Sequence, residues 1–294
     1  MSHVATEIAS QPDLWLRAGD LARHPAVAAA LPVPGARVAV VGCGTSLYMA
    51  RAWAALREVQ GHGETDAFPA SEFPAERRYD HIVAITRSGT TTEVLRLLTA
   101  VGDGTRTTVL TTATDRPAAH AAGETIVLDF ADERSVVQTR FATCALALLR
   151  AHVGANLSGV VVDARDELLR PLPADALTRR QFTFLGTGWT VGIAEEAALK
   201  LREAAQAWTE SYPAMEFRHG PISVVDGSSL VWIFGAAPAG LVTEIERTGA
   251  AVVTSTADPM AQLVGAQRLA VALADHRGLD PDAPRNLTRS IVLS

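Results

Sequence analysis

Cysteine, aromatic side chains and long apolar runs are all scarce in this chain. Its 294 residues include two cysteines, Cys43 and Cys144, which exclude a disulfide framework and form no Cys-based metal motif. The eight histidines are scattered with no pair at ligand spacing, so no histidine-based metal site is expected. No stretch approaches the length of a membrane span, and the opening MSHVATEIASQP lacks a basic then apolar signal region; a cytoplasmic protein that does not engage membranes is expected. The net charge of −6 comes without any Lys/Arg run, which leaves no electrostatic footprint for nucleic acid. Positive potential, where needed, must be local. There is no Gly-x-Ser-x-Gly elbow and no Walker loop. The Gly186-x-Gly188 pair fails the dinucleotide pattern, with Val191 at the third glycine position, and the loop at Gly42 fails likewise with Leu47. The sequons at Asn156 and Asn286 are incidental in such a chain.

What is present is a large apolar fraction, 48%, enough for one large domain or two of ordinary size. The stretch Ala36–Tyr48 opens with the uninterrupted apolar run Val38–Val41, which suits a strand buried on both faces of a parallel sheet. Gly42, Cys43, Gly44, Thr45 and Ser46 follow, then a helix through Met49, Trp53 and Leu56. Unpaired N–H groups of a first helical turn, a helix dipole and glycines that admit close approach are the parts of an anion site. Alone, this loop reads first as a tight strand-to-helix turn. A second hydroxyl-rich loop, Thr86-Arg87-Ser88-Gly89-Thr90-Thr91-Thr92 after Ile82–Ile85, shifts the balance. Two such loops can converge on one ligand at the carboxyl edge of a parallel sheet, which points to a phosphorylated small molecule.

The remaining pattern predicts a helical lead-in over Glu7–Ala29 broken at Pro25, and an extended piece over Asp66–Phe73. Strands follow at His81–Ile85, Thr107–Thr112 and Thr125–Phe130, then a long helix over Ser135–Ala155. After a linker near Gly154–Gly159 and a helix over Asp163–Arg170, the pattern restarts. Gln181–Leu185 is a strand, Ile193–Trp208 a helix, Leu230–Phe234 a strand, Leu241–Arg247 a helix and Ala251–Thr254 a strand, and Met260–Arg277 closes with a helix. The expected fold is α/β, with two units at 1–155 and 156–294, each a parallel sheet flanked by helices in a flavodoxin-like arrangement. The second is shortened, with no last strand between Thr256 and Asp258.

Glu196, Lys200 and Glu203 fall at helical spacing on one face. They read either as a solvated ion-pair stripe or as a carboxylate base at a pocket wall, and spacing leaves both open. His219, in Glu216-Phe217-Arg218-His219-Gly220-Pro221, is either a surface residue in a capping cluster or a positioned side chain.

Taken in order, these motifs resemble the tandem SIS (sugar isomerase) family over nearly the whole chain. The matching stretches are Glu7-Ile8 with Gln11-Pro12, Cys43-Gly44-Thr45-Ser46, Thr86–Thr91, Ser135-Val136 with Thr139-Arg140-Phe141, Ala198–Glu203, Phe217–Pro221 and Asp280–Leu287. They are similar to the isomerase half of glucosamine-6-phosphate synthase and to free-standing deaminase and isomerase relatives. The resemblance implies that Thr45, Ser46, Thr86, Ser88 and Thr91 hold phosphate and sugar, with Cys43, Gly44, Arg87, Val137 and Arg289 completing the binding set. It implies Glu203 as the base that moves a proton between C1 and C2, and His219, from the second subunit of a homodimer, as assisting ring opening. The substrate's own carbonyl acidifies the C2 proton, so no cofactor is implied.

Three departures matter. Arg289 stands where the synthase has an imine-forming lysine; it stays protonated and is no nucleophile. With no glutamine-hydrolysing domain preceding the chain, synthase activity is not expected. Thr86, Arg87 and Thr90 stand for the usual Ser, Gln and Glu, adding a cation that can meet a phosphate or acyl oxygen. The shortened second unit is the third. The expected activity is isomerisation or deamination of a glucosamine- or N-acetylglucosamine-type 6-phosphate. The alternatives are a lyase or dehydratase expelling the C3 oxygen of an N-acylated sugar, and a phosphosugar-binding regulator without turnover.

Overall fold

The computed structural model describes residues 2–293. The chain begins with α1 (His3–Ala22) and α2 (Pro25–Ala30), and Pro25 at the first position of α2 starts that helix. Then come β1 (Val38–Gly42), α3 (Thr45–Val59), β2 (Thr65–Pro69), β3 (His81–Ile85), α4 (Thr92–Val101), β4 (Arg106–Thr111), α5 (Pro117–Ala121), β5 (Glu124–Val127) and α6 (Arg140–His152). The five strands form one parallel sheet in the order β2-β1-β3-β4-β5. Every residue of β1 and β3 is buried, as their unbroken apolar runs require.

The second half contains α7 (Ser158–Leu169), β6 (Gln181–Gly186), α8 (Thr190–Ala205), β7 (Trp208–Pro213), β8 (Ser229–Phe234), α9 (Leu241–Glu246), β9 (Ala251–Val253) and α10 (Pro259–His276). Its sheet is parallel with four strands, β7-β6-β8-β9. The second sheet is the smaller one, one strand short after β9.

Two compact units result. Asp13–Glu133, Gln138–Leu157 and the tail from Thr288 surround the five-stranded sheet; the chain up to Pro12, Arg134–Val137 and Ser158–Leu287 surround the four-stranded one. In the first unit α6 is buried from Phe141 to Arg150. The indoles of Trp15 and Trp53 fix it by donating to Thr143 Oγ1 (2.9 Å) and Leu149 O (3.0 Å). In the second, Asp282 accepts the His3 and Val4 amides, both at 2.7 Å. It serves as an anionic cap for the first turn of α1.

Four expectations need correction. The helix expected to reach Trp208 stops at Ala205, with Gln206 in the left-handed region (φ 51°), and Trp208 instead opens the edge strand Trp208–Pro213. The residues Ser135–Thr139 are not helical, because two carboxylates described below hold their backbone open, and α6 starts at Arg140. The extended piece near Asp66 ends at Pro69 in a short 3-10 turn, Ala70–Glu72. The strand expected to reach Phe130 ends at Val127, and Asp129–Ala131 turns.

Candidate active-site loops and acid–base residues

The hydroxyl-bearing loops both leave the carboxyl ends of neighbouring parallel strands, β1 and β3, which pair from Val38↔His81 to Val41↔Ala84. The first is held tight by its glycines. A Cβ on Gly42 would lie 2.7 Å from the Ser46 carbonyl carbon, so only glycine lets the strand end touch the helix start. Gly44 sits at φ 55°, ψ −127°, which side chains exclude. The first turn of α3 closes through Ser46 N to Cys43 O (3.2 Å) and Leu47 N to Gly44 O (3.0 Å), leaving Thr45 and Ser46 buried. Burial and the charge of Glu93 push the Cys43 thiol up to about 11, so it is a neutral loop member rather than a nucleophile.

The second loop is built from its own hydroxyls. Thr86 Oγ1 lies 3.4 Å and Ser88 Oγ 3.5 Å from Thr91 Oγ1. Thr86 Oγ1 accepts the Gly89 amide (3.3 Å) and Ser88 Oγ the Thr90 amide (3.2 Å). Gly89 has φ 63° and backs onto Arg116. Three hydroxyls thus converge at the N-terminus of α4, where the helix field favours an anion. The C-terminal tail lies over this turn: Thr92 N donates to Ile291 O (3.1 Å), Leu293 N to Thr92 Oγ1 (2.8 Å), and Thr90 and Ser290 join hydroxyls (3.0 Å).

Arg87 sits apart from that hydroxyl cluster. Its side chain is 2% exposed and pairs with fully buried Glu133 at 3.4 Å, while a second N–H reaches Arg289 O at 3.2 Å. Glu133 also accepts from Thr139 N (2.6 Å), Thr139 Oγ1 (2.8 Å) and Arg140 N (2.8 Å). One carboxylate therefore fixes the second loop, the start of α6 and the backbone between them. Arg289 pairs with Asp132 and donates to Glu133 O, a position consistent with a structural cation.

Val137 belongs to the segment assigned to the other unit. Its side chain is buried and its carbonyl accepts Ser135 Oγ (2.8 Å). Buried Glu7 holds that segment by accepting Arg134 N at 2.6 Å and the Ser135 hydroxyl. Glu133 escaped the sequence reading because nothing local distinguishes it from other charged loop residues; its partners lie 46 positions upstream and six downstream.

On α8 the charged stripe is not a solvated one. Lys200 and Glu196 are each 1% exposed, and Lys200 Nζ lies 3.4 Å from Glu196 and 2.5 Å from Glu203. Glu203 alone emerges, at 19%, so the buried ammonium fixes a carboxylate whose other face meets solvent. His219 ends a 3-10 turn before Gly220 (φ 138°) and is exposed. Its neighbour Arg218 is held by Glu244 at 2.7 Å and Ala239 O at 2.7 Å. Among the described residues, no group of three or more His, Cys, Asp and Glu is placed to hold a metal ion, and no helix is long and apolar enough to cross a membrane.

No family model matches the chain. In sequence it is similar to the isomerizing glutamine–fructose-6-phosphate aminotransferase of Gloeobacter violaceus, 27% identical with 87% of this chain and 52% of that protein covered. The Sulfolobus acidocaldarius enzyme of the same name is 28% identical, covering 87% and 50%. The chain spans about half the length of these curated relatives. In structure it is similar to glucosamine-6-phosphate deaminase from Thermotoga maritima (TM-score 0.83, 24% identity, 99% of this chain and 100% of that one). Tagatose-6-phosphate ketose/aldose isomerase from Escherichia coli also superposes (TM-score 0.78, 17% identity, 98% and 97%). The chain has the two-sheet fold of the SIS-type phosphosugar isomerases, and its relatives in sequence are the isomerizing glutamine–fructose-6-phosphate aminotransferases.

Proposed function

We propose that the chain is a phosphosugar enzyme that removes the C2 proton of a hexosamine 6-phosphate, with isomerisation or deamination following. The observation that carries this reading is the convergence of Thr86, Ser88 and Thr91 at the start of α4, beside the glycine-held Thr45–Ser46 turn on the adjacent strand. Hydroxyls and helix N–H groups suit a phosphate with no base contact or metal. Glu203 is the proposed base: partly exposed, with Lys200 fixing one oxygen and the other able to take a proton. His219 is the proposed ring-opening group, delivered by the second subunit of a homodimer, and its exposure suits such delivery. Arg289 cannot form an imine, and its engagement with Asp132 and Glu133 supports proton transfer rather than capture of a ketose.

The test is proton NMR in D2O with a panel of hexose and hexosamine 6-phosphates, wild type beside Glu203→Gln. Deuterium at C1 of a ketose product and at C2 of the recovered aldose identifies isomerisation, and accompanying ammonia identifies deamination. An unsaturated product identifies elimination of the C3 oxygen instead. Binding of several sugars without exchange of any C2 proton overturns the enzymatic reading.

A further inference from the structure

Residues 288–293 of the first unit lie across the second hydroxyl loop as a strap, and polar contacts rather than a core hold them there. Ile291, Val292 and Leu293 are all exposed, so burial of apolar surface contributes little to fastening them. Ile291 O accepts the Thr92 amide (3.1 Å), Leu293 N donates to Thr92 Oγ1 (2.8 Å), and the Thr90 and Ser290 hydroxyls meet at 3.0 Å. A segment tied by a few partly buried hydrogen bonds, with its apolar side chains in water, belongs to the least stable part of a fold.

Two clasps fasten the leading end of the strap to Asp132 and Glu133, and they differ in strength. The inner clasp is buried: Arg87 pairs with Glu133 and gives one N–H to Arg289 O at 3.2 Å. The outer clasp meets water. Arg289 pairs with Asp132 and donates to Glu133 O, and the two paired side chains are 39% and 46% exposed. An ion pair so exposed is weak and screened by salt, whereas opening a buried one strands a charge. Arg87–Glu133 is thus a fixed anchor and Arg289–Asp132 a releasable one.

The position of the strap gives it a consequence. α4 begins at Thr92, next to the Thr86, Ser88 and Thr91 hydroxyls, so its first amide is one that an anion there would use. Ile291 O takes that amide instead, and an N–H has one hydrogen to give. We propose that residues 288–293 are a self-inhibitory strap on the sugar phosphate site. Ile291 O stands in for a phosphate oxygen at Thr92 N, and opening of the Arg289–Asp132 clasp admits the ligand. This rests on the phosphate-binding role given above to the Thr86–Thr91 loop. It makes Arg289 a positioning residue that acts through the strap, and it joins Arg87 and Arg289 in one device.

Hydrogen–deuterium exchange of the full chain, followed on peptides covering 288–294 with and without glucitol 6-phosphate at constant ionic strength, tests it. That probe has no carbonyl and cannot turn over. Competition requires the probe to speed exchange of the strap, and by the same coupling a loosened strap must bind the probe more tightly. Arg289→Gln should speed strap exchange in the absence of probe. It should also tighten the probe about tenfold by titration calorimetry, the gain when a competent state rises from about one-tenth populated to dominant. The proposal is overturned if the probe slows strap exchange, the mark of a lid that closes over its ligand, or if Arg289→Gln binds no more tightly than wild type. Binding weakened by Ser88→Ala but unchanged in Arg289→Gln removes the strap and leaves the loop reading standing. If neither wild type nor Arg289→Gln binds the probe, both fall together.

Discussion

The two sheets share one topology but use their strand-end loops for different ends. After β1 the chain turns through Gly42–Ser46; after β6 it turns through Gly186–Thr190, with the same steric demand, a Cβ on Gly186 falling 2.3 Å from Thr190 O. In the second case the hydroxyl is consumed by the fold. Thr190 Oγ1 accepts the Thr187 amide at 2.7 Å and donates to Phe234 O at 2.9 Å. The next loops diverge further: Thr86–Thr92 after β3 carries five hydroxyls, whereas Gly235-Ala236-Ala237-Pro238 after β8 carries none. A strand, a tight glycine turn and a helix recur in both units, and the number and placement of hydroxyls is what sets the two apart.

The largest expected effect is at Glu203. Glu203→Gln keeps the shape and removes the base, so C2 exchange should fall by about 10²–10⁴-fold, read by the deuterium experiment; unchanged exchange would move the chemistry off α8. Next in size is Glu133→Ala, which strands the buried Arg87 guanidinium and frees the start of α6. A loss of roughly 3–5 kcal/mol is expected, measured by urea unfolding, with the first unit opening before the second.

The hydroxyl contrast is tested by two substitutions. Ser88→Ala should weaken sugar phosphate binding by about 10–100-fold, the loss of a hydrogen bond to a charged group, while changing stability little. Thr190→Val should do the reverse, costing about 1–3 kcal/mol through the stranded Phe234 carbonyl and leaving the affinity intact. If both lower affinity alike, the loops are not divided as described.

The last effects concern acid, and between pH 7 and pH 5 they are partial. Burial pushes His81 down to about 4 and also lowers His152, both in the β1–β5 unit. The unfolded chain therefore binds protons first below pH 6.5, and that unit loses stability from there to about pH 4, by up to about 3 kcal/mol for His81. Burial raises Glu167 in the other unit; its preference for the neutral form contributes most below the ordinary carboxylate pKa and is lost as pH rises through the raised one. Hydrogen exchange at pH 7 and pH 5, corrected for intrinsic rates, should show β3 and β4 losing protection relative to β8.

Much of this was legible from residue order. Unbroken apolar runs located β1, β3 and β8, since a strand covered on both faces needs no polar alternation. β7 was not legible, because Trp208-Thr-Glu-Ser-Tyr-Pro is an edge strand whose polar residues look like a helix end. The Ser135–Thr139 segment was missed because Glu7 and Glu133 shape it from outside any local window. On α8 the spacing of Glu196, Lys200 and Glu203 gave the shared face, but burial, a property of the whole fold, was needed to distinguish a lysine lock from a surface stripe.

The partners of α1's first turns lie far downstream of it. Glu7 waits for Arg134 and Ser135, Gln11 for Gln267, and the amides of His3 and Val4 for Asp282. On a ribosome, the β1–β5 body has nearly all its strands and helices while the leading turns of α1 still lack every one of these partners. A nascent chain stalled between Val127 and Arg134 should therefore leave the first turns of α1 open to proteases, even with the five-stranded sheet already formed.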